Sequence, residues 1–150
     1  MSAYADFPRD FTEKTRANIE GYSGDFDVTN LINNCLGLII IPKEHLAAEL
    51  PNYTFSESNS PYQISKTNIT LKDKGNYTLK NVVRHIRNGL AHGRIEQRSN
   101  NGEITGIRIF DCKNNNAKEN FSIELSIDEL KAFAMKLSYD FTDLNNTPIN

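Results

Sequence analysis

The chain of 150 residues has no tryptophan, only two cysteines and only three histidines. Its longest apolar stretch, Leu36 to Ile41, is far short of the ~20 residues that span a bilayer, so no membrane-crossing helix is expected. The opening MSAYADFPRD holds no apolar run and reads as no export signal, which makes a cytoplasmic location the expectation. Cys35 and Cys112 lie far apart, outside any CxxC or Cys/His cluster, so a reduced thiol at each is expected rather than a disulfide framework or a zinc site. The sequons at Asn52, Asn68, Asn76 and Asn120 are then expected to carry no glycan. Neither a phosphate-cradling glycine loop nor a G-x-S-x-G elbow occurs, and no carboxylates cluster as a hydrolytic cation site would need. With 17 Lys and Arg against 19 Asp and Glu, the net charge of −2 exerts no global pull on nucleic acid.

One absence is local. From Gly75 to Ile95 there is no carboxylate at all, yet this window holds Lys80, Arg84, Arg87, Arg94, His85 and His92. What surrounds it reads as one folded domain over residues 1–150, with eight Phe and six Tyr to build a core and a frayed tail from about Asn145. Asp10 and Glu13 have capping-box spacing, placing Phe11, Thr15, Ile19 and Tyr22 along one side of a first helix broken by Gly21 and Gly24. Asp27 is placed to cap a second helix with Val28, Leu31, Ile32, Cys35 and Ile39 on one stripe. Leu36, Ile40 and Ile41 fall outside that stripe, which suits a helix with one side for its own core and another for a partner. Pro42 ends it, and Lys43 to Leu50 suits a short helical turn.

Pro51 to Asn76 reads as a long loop with a short strand at Tyr62 to Ile64. Thr78 caps a third helix, striped by Leu79, Val82, Val83, Ile86 and Leu90, with Gly93 as its C′ residue. Arg94 to Arg98, Glu103 to Phe110 and Asn120 to Leu125 read as three strands, the first pair joined at Asn100-Asn101-Gly102. Ser126 and Glu129 form a capping box opening a last helix with Leu130, Phe133, Ala134, Leu137 and Phe141 inward. The fold class expected is mainly α: a helical bundle with a small antiparallel meander inserted before the last helix.

On a helical wheel, Asn81, Arg84, Asn88 and His92 project from the third helix opposite its apolar stripe, with His85 close by and Arg87 flanking. A solvated helix face normally mixes signs, and this one holds no acid. Arg, Asn and His together suit a phosphate, since guanidinium groups match its oxygens with paired donors. Arg84, His85, Lys80 and Arg94 are therefore the candidate phosphate-binding residues.

The string Arg87-Asn88-Gly89-Leu90-Ala91-His92 resembles the R-x4-6-H signature of the HEPN superfamily, in which a polar residue commonly follows the Arg. FDVTNLINNCLGLIIIPKE, residues 26 to 44, and RHIRNGLAHGRI followed by ITGIRIFD resemble a small stand-alone HEPN branch found on bacterial plasmids. The similarity runs from about Asp10 to Leu137 and is weakest over Pro51 to Gly75. The resemblance implies a HEPN-like helical bundle and a metal-independent endoribonuclease acting as a homodimer. It assigns Arg87, His92 and Asn88 as catalytic residues and calls for no metal or cofactor. It further implies a toxin or phage-defence effector, with a cognate antitoxin as a possible partner.

The chemistry suits those residues. RNA carries its own 2′-hydroxyl nucleophile, so cleavage to a 2′,3′-cyclic phosphate and a 5′-hydroxyl needs a base, an acid and a stabiliser of phosphoryl charge. Histidine serves either proton role, and an aimed Arg supplies the electrostatic term. One chain has one motif histidine, and a twofold axis through the cleft supplies the second. Two other readings stay open: a HEPN dimer that binds RNA or nucleotide without cutting, and an antitoxin-like protein-interaction module.

Overall fold

The computed structural model describes residues 7–21, 28–40, 50–58, 60–72, 76–114 and 117–142. Helix α1 spans Phe7–Glu20 and α2 spans Val28–Ile40. A 3₁₀ turn over Lys66–Asn68 leads into strand β1, Ile69–Leu71. Helix α3, Leu79–Ala91, is followed by β2, Ile95–Asn100, β3, Glu103–Cys112, and β4, Glu119–Ser126. Helix α4 closes the described chain at Ile127–Thr142. The strands form one antiparallel sheet in the order β1-β4-β3-β2.

Among the described residues, four helices and a four-stranded sheet make a mixed α/β architecture, and the mainly helical bundle expected from sequence is corrected accordingly. The three strands of the meander were expected and extend by one or two residues at several ends. The fourth, β1, comes from the stretch read as loop, where Ile69, Thr70 and Leu71 pair with Ile123, Ser122 and Phe121. The strand expected at Tyr62 to Ile64 is instead a turn in which Gln63 takes φ of 62°. Its flanking residues Tyr62 and Ile64 are both buried. An apolar-polar-apolar triplet reads as a strand, but a positive φ at the middle residue ends any pleat.

The chain divides into two compact units. One combines Met1–Pro51 with Lys131–Asn150, and the other is the continuous stretch Asn52–Leu130. In the first, α1 packs on α2 and the core includes Ile19, Leu31, Cys35, Leu38 and Phe133. Helix α1 begins at Phe7, so Asp10 lies in its first turn rather than at its cap. The breaks or caps expected at Gly24, Asp27 and Pro42, the turn over residues 43–49 and the tail from Asn145 lie outside the described residues. Leu36 of α2 is half-buried and Ile40 is 38% exposed, which leaves apolar surface on a second side of that helix.

In the second unit, α3 lies against β3. Leu79, Val82, Val83 and Ile86 of the helix and Ile107, Ile109, Phe121, Ile123 and Leu125 of the strands are all buried and make up the apolar layer of this unit. Burying an aliphatic or Phe side chain is worth about 1.5–3 kcal/mol, so this layer is the main support of whatever α3 presents. Ser126 Oγ accepts from the Glu129 amide at 3.1 Å and Glu129 Oε1 accepts from the Ser126 amide at 2.9 Å, the expected capping box.

Candidate functional site

Helix α3 starts and stops by local chemistry. Thr78 is its N-cap, its hydroxyl accepting from the Asn81 amide at 3.2 Å. His92 is the C-cap, and Gly93, at φ 68°, takes the left-handed step that ends the helix. Between them, Gly89 is placed for contact. A Cβ there would stand 2.4 Å from the Phe110 carbonyl oxygen and 2.9 Å from Ile109 Cγ2. The glycine inside the R-N-G-L-A-H string thus lets the helix backbone close onto β3.

That approach brings a carboxylate under a helix face that the sequence presents as free of acid. Asp111 sits in the inward register of β3 and is 4% exposed. Its Oδ2 lies 2.8 Å from His85 Nδ1, while its Oδ1 accepts from the Cys112 amide at 2.9 Å and from Arg94 Nη1 at 3.3 Å. The buried charge is therefore compensated on every side. His85 is 2% exposed and stacks on Phe121 with ring centroids 4.7 Å apart and planes 7° apart. With Nδ1–H donated to the carboxylate, Nε2 is left as the acceptor facing Arg84, whose Nη2 is 3.2 Å away. The same Nη2 donates to Asn81 Oδ1 at 2.7 Å. An exposed arginine is thus held by a relay that begins at a buried aspartate.

A pocket of about 350 Å³ opens beside this relay, lined by Arg84, His85, Asn88, Asp111, Lys113 and Asn120 among others. It gathers three of the seven residues assigned from sequence: Arg84, His85 and Asn88. Arg94 reaches its edge through Asp111. Lys80 is exposed on α3 and lines no part of it. Arg87 is not the flanking surface residue that the wheel suggested, because it is buried to 7% exposure. His85 is likewise interior rather than beside a solvated face. His92 is exposed at the helix end, and its imidazole makes no hydrogen bond or ion pair with the described residues. Asp111, Lys113 and Asn120 are site residues that sequence reading missed. For Asp111 a signal existed, since an acid at an inward strand position demands a buried partner.

The other polar surface of this unit is a charge ladder across the sheet. Arg98 pairs with Glu124 at 2.6 Å, and Arg108 pairs with both Glu96 and Glu119. Those two glutamates, Glu119 first, raise the Arg108 guanidinium above its ordinary value. Exposed pairs of this kind contribute about 0–1 kcal/mol each and mark no site.

A family model described as HEPN pEK499 p136 matches residues 1–147. The chain belongs to this HEPN family. Neither a curated protein nor a solved structure gave a match. HEPN membership is consistent with a nuclease or RNA-related role, and HEPN domains commonly dimerise and act on RNA. Among the described residues of this HEPN chain, no three His, Cys, Asp or Glu side chains converge as a metal site, and no helix is long and apolar enough to cross a membrane.

Proposed function

We propose that this HEPN chain is a metal-independent endoribonuclease that cuts RNA at a composite homodimer site, leaving 2′,3′-cyclic phosphate and 5′-hydroxyl ends. The observation that carries the reading is the end of α3, where the Arg87-Asn88-x-x-x-His92 string closes with its histidine exposed at the C-cap. An exposed imidazole without a protein partner among the described residues is available for proton transfer. A twofold axis past the end of α3 gives the site two copies of His92, one as base and one as acid. The second apolar side of α2, at Leu36 and Ile40, supplies surface for that dimer. Arg87 stabilises the phosphoryl charge and Asn88 orients it; a toxin or phage-defence role, with or without a cognate antitoxin, follows from the superfamily alone.

Incubating wild type and His92→Ala with mixed RNA in EDTA tests this. Wild type is expected to cut and the variant to cut at least ~10²-fold more slowly, with RNA affinity nearly unchanged. Equal cleavage by both, or cleavage that stops in EDTA and returns with Mg²⁺, defeats the reading. So does a monomer in light scattering at micromolar concentration with and without RNA. A second reading, a HEPN dimer that binds RNA without cutting, is favoured by the burial of Arg87. A guanidinium so enclosed reaches a phosphodiester only if its surroundings move. Intact RNA binding with no cleavage by either protein would establish it.

A further inference from the structure

Asn120 holds a position that regular strand pairing would deny it. Strands β3 and β4 pair without a break from Gly106↔Ser126 to Asp111↔Phe121; then Cys112 pairs with Glu119, leaving Asn120 opposite no residue. Side chains alternate along a regular strand, so Asn120 would face away from the side on which its neighbour Phe121 stacks on His85. A bulge re-aims the extra side chain, and Asn120 accordingly lines the His85 pocket. Its Oδ1 is shut off from solvent and has no hydrogen-bond partner among the described residues. A buried acceptor left unmade is costly, and a ligand N–H would remove that cost.

The same pocket is lined by two cationic side chains, Arg84 and Lys113. Neither Arg84 nor Lys113 pairs with a carboxylate of the described residues. The acid that lines the pocket, Asp111, is already engaged by His85, Arg94 and the Cys112 amide. Arg84 is moreover fixed through His85 and Asn81, leaving its Nη1 and Nε donors for a ligand. At about 350 Å³ the pocket lies in the size range of small-molecule sites and exceeds what a phosphate alone would fill.

Resting on the RNA reading above, we propose that this pocket seats one unpaired nucleotide of the strand and sets base preference. The phosphate lies against Arg84 and Lys113, and a swing of the Asn120 side chain, whose Oδ1 is enclosed at rest, lets it accept from the base edge. His92 is eight residues beyond Arg84, about 12 Å along the helix axis, so within one chain this is a recognition subsite apart from the proton-transfer residue. Single-stranded RNA is read by such splayed bases, through hydrogen bonds to their edges.

The test is an NMR titration of the full chain with the four nucleoside 5′-monophosphates, ribose 5-phosphate and inorganic phosphate. At least one nucleotide is expected to bind roughly tenfold more tightly than ribose 5-phosphate, the increment of a hydrogen bond made to a buried unsatisfied group. Asn120→Ala should bring all four nucleotides to within about twofold of ribose 5-phosphate. Arg84→Gln and Lys113→Gln, at exposed positions that leave the core intact, should weaken every phosphorylated probe severalfold. A short single-stranded RNA should displace the bound nucleotide. The proposal is overturned if no probe binds, or if inorganic phosphate or ribose 5-phosphate binds as tightly as the nucleotides. Preference unchanged in Asn120→Ala, or a nucleotide that RNA fails to displace, overturns it as well. His92→Ala should bind the probes like wild type. Probe binding without cleavage therefore sinks the nuclease reading alone, and cleavage without probe binding sinks the pocket alone.

Discussion

The two compact units differ in how they hold their buried polar groups. Among the described residues, the unit containing α1 and α2 buries the uncharged Thr12, Thr15, Ser138 and the Cys35 thiol, together with the Asp140 carboxylate, whose side chain is 4% exposed and pairs at 2.9 Å with Lys136 one turn back on the same helix. Such groups are satisfied locally, as Ser138 Oγ is by donating to the Met135 carbonyl at 2.6 Å. The unit containing α3 and the sheet buries Arg87, His85 and Asp111. A buried charge costs several kcal/mol in desolvation and returns it only with good geometry, so an apolar replacement would often serve stability as well. In one unit the buried carboxylate is met within its own helix, whereas in the other His85 of α3 and Arg94 converge on Asp111 of β3, which points to the latter as the unit built to position groups.

Removing Asp111 breaks that contrast most severely. Asp111→Ala strips His85 Nδ1 and Arg94 of their shared acceptor, and about 3–5 kcal/mol of stability should be lost, read as a fall in the urea midpoint. Asp111→Asn keeps the shape and an acceptor and should lose clearly less. Equal, small losses for both would mean that the relay is decoration on the apolar layer beneath it.

The thiol sharpens the contrast from the other unit. Burial pushes Cys35 up from 9.0 to about 12, with Lys131 opposing in smaller measure. The folded value being the higher, the unfolded chain gives up its proton first. Stability is thus full below pH 9 and declines between pH 9 and 12 by about 1.4 kcal/mol per pH unit. From pH 9 to 11 wild type should therefore lose roughly 2–3 kcal/mol more than Cys35→Ala, measured as the difference in the pH slopes of their urea midpoints. Parallel slopes would show that the thiol contributes nothing to alkaline sensitivity.

Gly89 gives the smallest effect and the cleanest sign. Alanine gains about 1 kcal/mol over glycine in a helix interior, but the added Cβ meets the Phe110 carbonyl, and overpacking costs typically 1–3 kcal/mol. Since the obstructing atom is backbone, the clash should win, leaving Gly89→Ala less stable by up to about 2 kcal/mol. A melting temperature that rises instead would show that α3 stands off the sheet.

What was legible in the sequence follows the range of the interactions involved. Thr78, Gly93, the Ser126–Glu129 box and the Asn101-Gly102 turn are set by neighbours a few residues away, and each does what its residue type suggests. Strand β1 is three residues of an unremarkable polar stretch, and only its pairing with β4 makes it a strand. The fold class was misjudged for that reason, together with the share of the chain given to β3 and β4. In the candidate site, the wheel placed Arg84 and Asn88 beside each other and His92 at the exposed end. It put His85 and Arg87 outside because a wheel built on α3 alone cannot contain Asp111, which lies 26 residues on from His85. Asn120 was beyond reach in a stricter sense, since its direction depends on a register slip between two strands.

The division of the chain also has a consequence for its synthesis. The unit of α3 and the sheet is one uninterrupted stretch, complete once Leu130 has left the ribosome. The other is begun by the first 51 residues and finished only by those from Lys131 onward. At about 5–20 residues per second, the 79 residues from Asn52 to Leu130 hold the two halves apart for roughly 4–16 s. Over that interval Leu31, Cys35, Leu38 and Ile39 await the rest of their unit, and the nascent chain offers apolar surface to chaperones or to a second copy emerging nearby.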